Sequence, residues 1–248
     1  MSVNAAESFF VVSIGFIAGG ILKGATGIGS PIIAVPILAI YFDARFAIIM
    51  FSIPNIIPNI WQAWSYRKTA LDNAFLVRFA GAGAIGAIFG TSILAVFASD
   101  KLTLVVAMAV VLYVIFRFAR PKWQLSMNTA RKIAVPVGFL GGAMQTAAGL
   151  SAPVSVTFLN SLNLSREAFA PTISFFFLGV GITQIPLLIA YEMLTFKMAI
   201  LSFLALVPLI AGMPLGSALA KRLSRNAFDR IILFILSILA IKLVAQSF

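Results

Sequence analysis

Long apolar runs separated by short polar connections dominate this chain. Segments 46–64, 74–98 and 196–220 approach or exceed the roughly 20 residues with which an α-helix crosses about 30 Å of hydrocarbon. Each half has five such segments: 8–22, 31–42, 46–64, 74–98 and 102–116, then 133–146, 153–164, 168–191, 196–220 and 227–244. The pattern predicts an all-α integral membrane protein.

The two halves match each other in pattern at an offset of about 122 to 126 residues. Residues 26–31 (TGIGSP) align with 148–153 (AGLSAP), and Lys23 falls opposite Thr146. Other matched pairs are Ser52 with Ser174, Gln62 with Gln184, Gly86 with Gly212, Gly90 with Gly216 and Thr91 with Ser217. We therefore expect one membrane domain with repeat 1 at 1–118, a basic cytoplasmic linker at 119–132 and repeat 2 at 133–248.

Charged residues occupy the connections, and their sign alternates differently in the two halves. The third connection is basic in the first half and balanced in the second, whereas the fourth is balanced in the first half and basic in the second. Because short cytoplasmic connections are enriched in Lys and Arg, equivalent connections lie on opposite sides. This predicts two inverted-topology repeats in a bacterial inner membrane, with both termini outside the cytoplasm, an arrangement typical of alternating-access transporters. The net charge of +11 forms no basic stripe, so nucleic acid is not an expected partner.

The first two segments of each half are only about 12 to 15 residues long, too short for comfortable spans. They are either tilted crossings or a re-entrant hairpin whose tip stops near the midplane. Gly24, Gly27 and Gly29 followed by Pro31 favour the hairpin, because glycine permits the turn and proline suits the first turn of a helix. A helix that starts at such a tip, near Gly29 or Ser151, presents backbone N–H groups to an anion.

Lys23 directly follows the first predicted segment and is the one charged residue that lies neither in a plausible inter-helix connection nor near a chain end. A cation in the hydrocarbon region costs at least about 2.5 kcal/mol. Lys23 either counters the charge of an anionic substrate or extends to the interface. Asn55, Asn59 and Gln62 share one helical face, and each either binds substrate or bonds a neighbouring helix. The remaining candidate binding residues are Thr26, Gly27, Gly29, Ser30, Pro31, Gln145, Thr146, Gly149, Ser151, Pro153 and Gln184. The glycines of segments 74–98 and 196–220 indicate close helix packing, and residues 175–177, three phenylalanines, are expected to face lipid or the interface.

Missing residue types narrow the function. The chain has no Cys and no His, and its Asp and Glu residues lie in connections or near the ends. We therefore expect no catalytic residue, metal site or cofactor, and coupling through a buried carboxylate is disfavoured. The expected partners are a small anionic substrate and membrane lipid, and the architecture is compatible with a coupling ion and with a homodimer. The main alternative to a transporter is an anion channel.

The motif GATGIGSPIIAVP at 24–36, its weaker copy within 138–153 and the two-halved layout resemble the sulfite exporter TauE/SafE family, also called toluene sulfonate uptake permeases. The likeness extends from about residue 8 to residue 244. It implies transport of sulfite, sulfonates or related small sulfur anions, with a non-sulfur anion as the alternative. The family's turn residues carried over are Gly27, Gly29, Pro31, Gly149 and Pro153. Family members commonly have consecutive glycines where this chain has Ser30 and Pro31.

Overall fold

A computed structural model describes residues 4–27, 30–119, 123–222 and 225–246. These residues form helices and connections, with no strand among them. In chain order the helices are α1 (Ala5–Thr26), α2 (Pro31–Tyr41), α3 (Ala44–Ser65), α4 (Asn73–Val96), α5 (Ser99–Ala119), α6 (Met127–Ala148), α7 (Thr157–Ser161), α8 (Arg166–Ala190), α9 (Phe196–Leu204), α10 (Leu206–Arg222) and α11 (Arg225–Gln246). A 3₁₀ turn (Arg67–Thr69) precedes α4, and a π-helical turn (Ala152–Val156) precedes α7.

Six helical stretches in the described part of the chain are long and apolar enough to cross a membrane. They are α1, α3, α4, α5, α8 and the consecutive pair α9 and α10, whereas α2 is a shorter apolar helix. The predicted all-α membrane fold is therefore confirmed, and the protein is a multi-pass membrane protein.

The structure corrects the predicted length of the first segment in each half. Both α1 and α6 have 22 residues, because polar residues at their ends continue the helix beyond the apolar runs 8–22 and 133–146. Helix α6 begins at Met127, inside the span 119–132, after the Ser126 hydroxyl accepts a hydrogen bond from the Thr129 N–H. The second segment is short, as predicted, since α2 has 11 residues. The predicted segment 196–220 is divided into α9 and α10 at Ala205.

Side-chain caps fix where α3 and α8 begin. The Asp43 carboxylate accepts from the Phe46 N–H at 2.8 Å, and the Ser165 hydroxyl accepts from the Ala168 N–H at 3.2 Å. At their C-terminal ends, α1 and α6 each stop at a glycine in the left-handed region, Gly27 (φ 73°) and Gly149 (φ 68°). A left-handed residue is a common way to end a helix, and glycine adopts it without a steric penalty.

Glycines bring two helix pairs into backbone contact, α1 with α10 and α4 with α6. A Cβ on Gly24 would clash with the Met213 carbonyl group, and a Cβ on Gly86 would clash with the Phe139 carbonyl group. Gly212 and Gly216 meet α1, and Gly90 meets α6, in the same way. The predicted role of these glycines in close packing is confirmed. The exception is Gly81, where an added Cβ would meet no atom of another helix within 4 Å.

Contacts among helix ends and connections identify the two ends of the helix bundle. At one end Arg131 pairs with Asp72 at 2.7 Å, and the Thr69 hydroxyl donates to the Glu167 carbonyl at 2.6 Å. We call this the basic end, because it carries Arg67, Lys68, Arg78, Arg131, Lys132, Arg166, Lys221 and Arg222 against Asp72 and Glu167. At the opposite end Ser92 meets the Tyr191 hydroxyl at 3.0 Å, and Gln246 donates to the Ile40 carbonyl at 3.2 Å.

Aromatic rings fill the centre of the bundle between α4, α6 and α8. Phe176 is fully buried, stacks on Phe79 at 4.7 Å between ring centroids and lies against Gly83 and Gly141. Phe177 beside it is also buried. The expectation that these phenylalanines face lipid is therefore wrong for Phe176 and Phe177, because the glycines of α4 and α6 leave space that only a large ring on α8 fills.

Candidate functional site

Helix α1 ends inside the protein with a buried lysine. Lys23 is 3% exposed, and its ammonium group donates to Asn59 Oδ1 at 2.8 Å. One turn later the helix stops at Gly27, whose N–H donates to the Lys23 carbonyl at 2.8 Å. An ammonium group has three donors, and among the described residues only Asn59 accepts from it. Two donors of a buried cation are therefore available to a ligand.

A polar network on α3 and α8 orients Asn59 toward the lysine. The Asn59 amide nitrogen donates to the Asn55 carbonyl, so its oxygen is the atom that faces Lys23. The Ser174 hydroxyl lies 3.0 Å from both Asn59 Oδ1 and Gln62 Oε1. Because a hydroxyl has one hydrogen, it donates to only one of these two oxygens at a time. All four network residues are more than nine-tenths buried.

A cavity of about 750 Å³ opens from this network toward the basic end. It lies between α1, α3, α8 and α10, and its size is within the range typical of small-molecule sites. The charged residues that line it are Lys23, Arg166, Glu167 and Lys221. Three cations against one carboxylate give the cavity a net positive charge, with Lys23 buried and the other three exposed. Such a cavity suits a small anion.

Two further side chains neutralise the negative end of the α1 dipole at the cavity. Arg166 and Ser217 both donate to the Gly24 carbonyl oxygen at 3.0 Å. A helix C-terminus carries unpaired carbonyl groups and partial negative charge, which would repel an anion. These two donors cover one such carbonyl and so favour an anion beside Lys23.

Arg166, Ser174 and Ser217 belong to the site but were not among the residues predicted from the sequence. Ser174 could have been noticed, because its position matched that of Ser52 in the other half. Ser217 matched Thr91 in the same way, within a run of small residues. Arg166 was marked only by its position directly after the helix-capping Ser165. Their roles depend on α8 and α10 packing around the end of α1.

Of the other candidates predicted near the first tip, Gly27 lines the cavity together with Lys23, whereas Thr26, Ser30 and Pro31 do not. Thr26 donates to the Leu22 carbonyl at 2.7 Å, within its own helix. Ser30 and Pro31 are buried at the start of α2, where Ser30 packs against Gly19. Gly29 lies outside the described residues. On α3, Gln62 lines the cavity, and Asn55 and Asn59 stand behind it.

The residues of the second tip, which follows α6, form hydrogen bonds with one another. Gln145 donates to the Gly149 carbonyl at 3.2 Å and accepts from the Ser151 N–H at 3.1 Å, and Gly149 packs against Val35. Pro153 lies in the π-helical turn that follows. Thr146 donates to the Ala87 carbonyl at 3.2 Å on α4. On α8, Gln184 is buried and its amide nitrogen has no partner among the described residues.

The ends of α1 and α6 correct one predicted pairing. Both helices have 22 residues and stop at a left-handed glycine, so superposing Gly27 on Gly149 places Lys23 opposite Gln145. Thr146 then falls opposite Gly24, and each of these two residues contacts the matching helix of the other half, α4 or α10. The expected match of Lys23 with Thr146 is therefore wrong by one residue.

A multi-pass helical membrane protein with a positively charged cavity between its helices has the architecture of a membrane transporter. The chain belongs to the family described as Sulfite exporter TauE/SafE, a family of membrane transporters, whose sequence profile matches residues 11–243. The match covers nearly the whole chain and confirms the resemblance seen in the glycine-rich motif. Neither a curated protein nor a solved structure matches the chain.

Proposed function

We propose that this protein is a secondary transporter that moves sulfite, sulfonates or related small sulfur anions across the inner membrane by alternating access. The observation that carries the proposal is the buried Lys23 ammonium group, whose one acceptor among the described residues is Asn59, at the closed end of a positively charged cavity. A buried cation is costly unless it is paired, and an anionic substrate supplies the missing charge.

The chemistry of the cavity suits a sulfur oxyanion. Such an anion presents several oxygens, each of which accepts hydrogen bonds. Lys23 offers two donors, and Gln62 offers its amide nitrogen beside the Ser174 hydroxyl. Trp61 and Ile57 supply an apolar wall that suits the carbon skeleton of an organic sulfonate. The sulfur class itself comes from the family to which the chain belongs.

The alternating-access part of the proposal is supported by the pairing of helices across the halves. Helix α1 packs on α10 through Gly24 and Gly212, and α6 packs on α4 through Gly142 and Gly86. Exchange of the two halves converts one pair into the other. Inverted repeats that exchange in this way are a common basis of alternating access. Among the described residues, the cavity extends from Lys23 toward the basic end, as expected for one of two alternating states.

The proposed orientation follows from charge. The basic end carries the excess of Arg and Lys, so we assign it to the cytoplasm and the opposite end to the periplasm. The C-terminal end of α11, near Ile40, is then periplasmic, and so is the start of α1. The cavity accordingly faces the cytoplasm in this conformation.

Transport by purified protein in liposomes tests the proposal. Uptake of isotope-labelled sulfite, sulfoacetate, taurine, sulfate and formate is measured against concentration for the unchanged protein, for Lys23→Gln and for Lys197→Gln, an exposed lysine at the opposite end. We expect saturable uptake of at least one sulfur anion, lost in Lys23→Gln and kept in Lys197→Gln. Flux that rises linearly with concentration would indicate a channel, and uptake of formate alone would reject the sulfur substrate.

A further inference from the structure

Four residues outside the cavity correspond, one to one, to four of the residues that line it. The start of α3 after the Asp43 cap matches the start of α8 after the Ser165 cap, so Arg45 corresponds to Glu167. In the same way Gln145 corresponds to Lys23, Gln184 to Gln62 and Thr91 to Ser217. We call Arg45, Thr91, Gln145 and Gln184 the mirror set. Their comparison with the cavity rests on the inverted repeats of the proposed function.

Unpartnered polar atoms concentrate in this mirror set. Within the described residues, four buried side-chain atoms have no hydrogen-bond partner: Arg45 Nε, Thr91 Oγ1, Ser151 Oγ and Gln184 Nε2. Three of them belong to the mirror set, and Ser151 follows the tip that Gln145 holds. Thr91 is fully buried and Gln184 is 3% exposed. A buried polar group without a partner costs free energy, so its retention calls for an explanation.

Close packing of α4 on α8 covers the mirror set in this conformation. Gly179 on α8 meets the Ala80 carbonyl on α4, and Ser92 and Tyr191 bond at the end of the same interface. The corresponding helix pair, α10 and α3, makes only sparse contact, and the cavity occupies the space between them. The two halves therefore differ in one respect: α4 packs closely on α8, whereas α10 is separated from α3 by the cavity.

We infer that the mirror set lines a second vestibule, closed here, that opens to the opposite end and conducts the same small anion out of the site. When α4 separates from α8, Thr91 and Gln184 become hydrated or bind the anion, so that their buried polar atoms gain hydrogen-bond partners. Gln145 occupies the place of Lys23, so this vestibule offers neutral amide and hydroxyl donors with a single cation, Arg45, near its mouth. An anion is held there more weakly than beside the lysine, which favours its release.

Single-cysteine labelling tests the vestibule directly, because the chain has no cysteine. Thr91→Cys and Gln184→Cys are compared with Ser217→Cys in the open cavity and with Ser155→Cys, a fully buried serine of the second tip. A membrane-impermeant cationic maleimide is applied to spheroplasts and to inverted membrane vesicles. A cationic reagent is used because an anionic one would compete for the anion site.

We expect Ser217→Cys to react from the cytoplasmic face and Thr91→Cys and Gln184→Cys to react from the periplasmic face. Because minor conformations are commonly populated at about 0.1–10%, their rates should be about one-thousandth to one-tenth of the Ser217→Cys rate. Ser155→Cys should remain unlabelled. If both mirror-set cysteines are as protected as Ser155→Cys, or react from the cytoplasmic face, the vestibule is rejected.

Uptake of sulfoacetate and sulfite by the unchanged, cysteine-free protein separates the two proposals. Uptake together with protected mirror-set cysteines rejects the vestibule and leaves the transport function standing. Periplasmic labelling without uptake of either sulfur anion supports the vestibule and rejects the proposed substrate class.

Discussion

Replacement of Lys23 by methionine should move stability and affinity in opposite directions. The change keeps the length of the side chain and removes a buried ammonium group whose only acceptor among the described residues is Asn59. Asn59 Oδ1 does not become orphaned, because the Ser174 hydroxyl lies 3.0 Å from it. A lysine in the hydrocarbon region costs about 2.5–3.5 kcal/mol, and its hydrogen bond, which has a charged donor, returns about 1.5–3 kcal/mol of that cost. We therefore expect the ligand-free Lys23→Met protein to be more stable by up to about 2 kcal/mol.

The same substitution should weaken anion binding strongly. A hydrogen bond to a charged group contributes about 1.5–3 kcal/mol, which corresponds to a loss of roughly 10- to 150-fold in affinity. Lys23→Arg is the matched variant, because it keeps the charge and changes the shape and donor geometry. It should retain more affinity than Lys23→Met.

Two measurements on purified protein in detergent check this pair of effects. Thermal unfolding without ligand gives the change in stability, and isothermal titration with sulfoacetate gives the dissociation constant. A specific ligand at about 100 times its dissociation constant should add roughly 2.7 kcal/mol of stability to the unchanged protein. The reasoning is refuted if Lys23→Met binds sulfoacetate within about twofold of the unchanged protein, a difference of about 0.4 kcal/mol.

Two other predictions concern packing and the polar network. Gly81→Ala should stabilise the protein by about 0.5–1 kcal/mol, because an added Cβ has open space there and alanine is the better helix former. Gly86→Ala should cost about 1–3 kcal/mol, because its Cβ meets the α6 backbone. Thermal unfolding of the two variants side by side checks both signs. Ser174→Ala should cost about 1–3 kcal/mol, because Asn59 and Gln62 lose a buried donor. If Ser174→Ala changes neither the unfolding midpoint nor the sulfoacetate affinity, the hydrogen bonds of Ser174 to Asn59 and Gln62 are not needed.

The sequence predicts the apolar helices and the most unusual residue of the site. A lysine inside an apolar run stands out, and so do amides at helical spacing on α3. Segment ends were predicted less well, because a capped polar turn such as the one after Ser126 extends α6 by several residues beyond its apolar run. Hydrophobicity reports where the chain meets lipid, while capping decides where the helix begins.

Arg166 and Ser217 could not be assigned to the site from sequence. They lie 142 and 193 positions from Gly24, whose carbonyl they share. Each is ordinary in its own surroundings, an arginine in a polar connection and a serine among small residues. Only the packing of α8 and α10 around α1 gives them a common target, and no local pattern encodes that packing.

The contact between α1 and α10 has a consequence for how the protein is made. Leu206 follows Thr26 by 180 positions, which at about 5–20 residues per second corresponds to roughly ten to forty seconds of synthesis. During that interval α1 is in the membrane without the helix that its glycines fit. Asn59 is made early and gives Lys23 a partner, but Arg166 and Ser217 reach the end of α1 only later. Biogenesis therefore ends with the first helix meeting one of the last, and until then Lys23 depends on Asn59 as its partner.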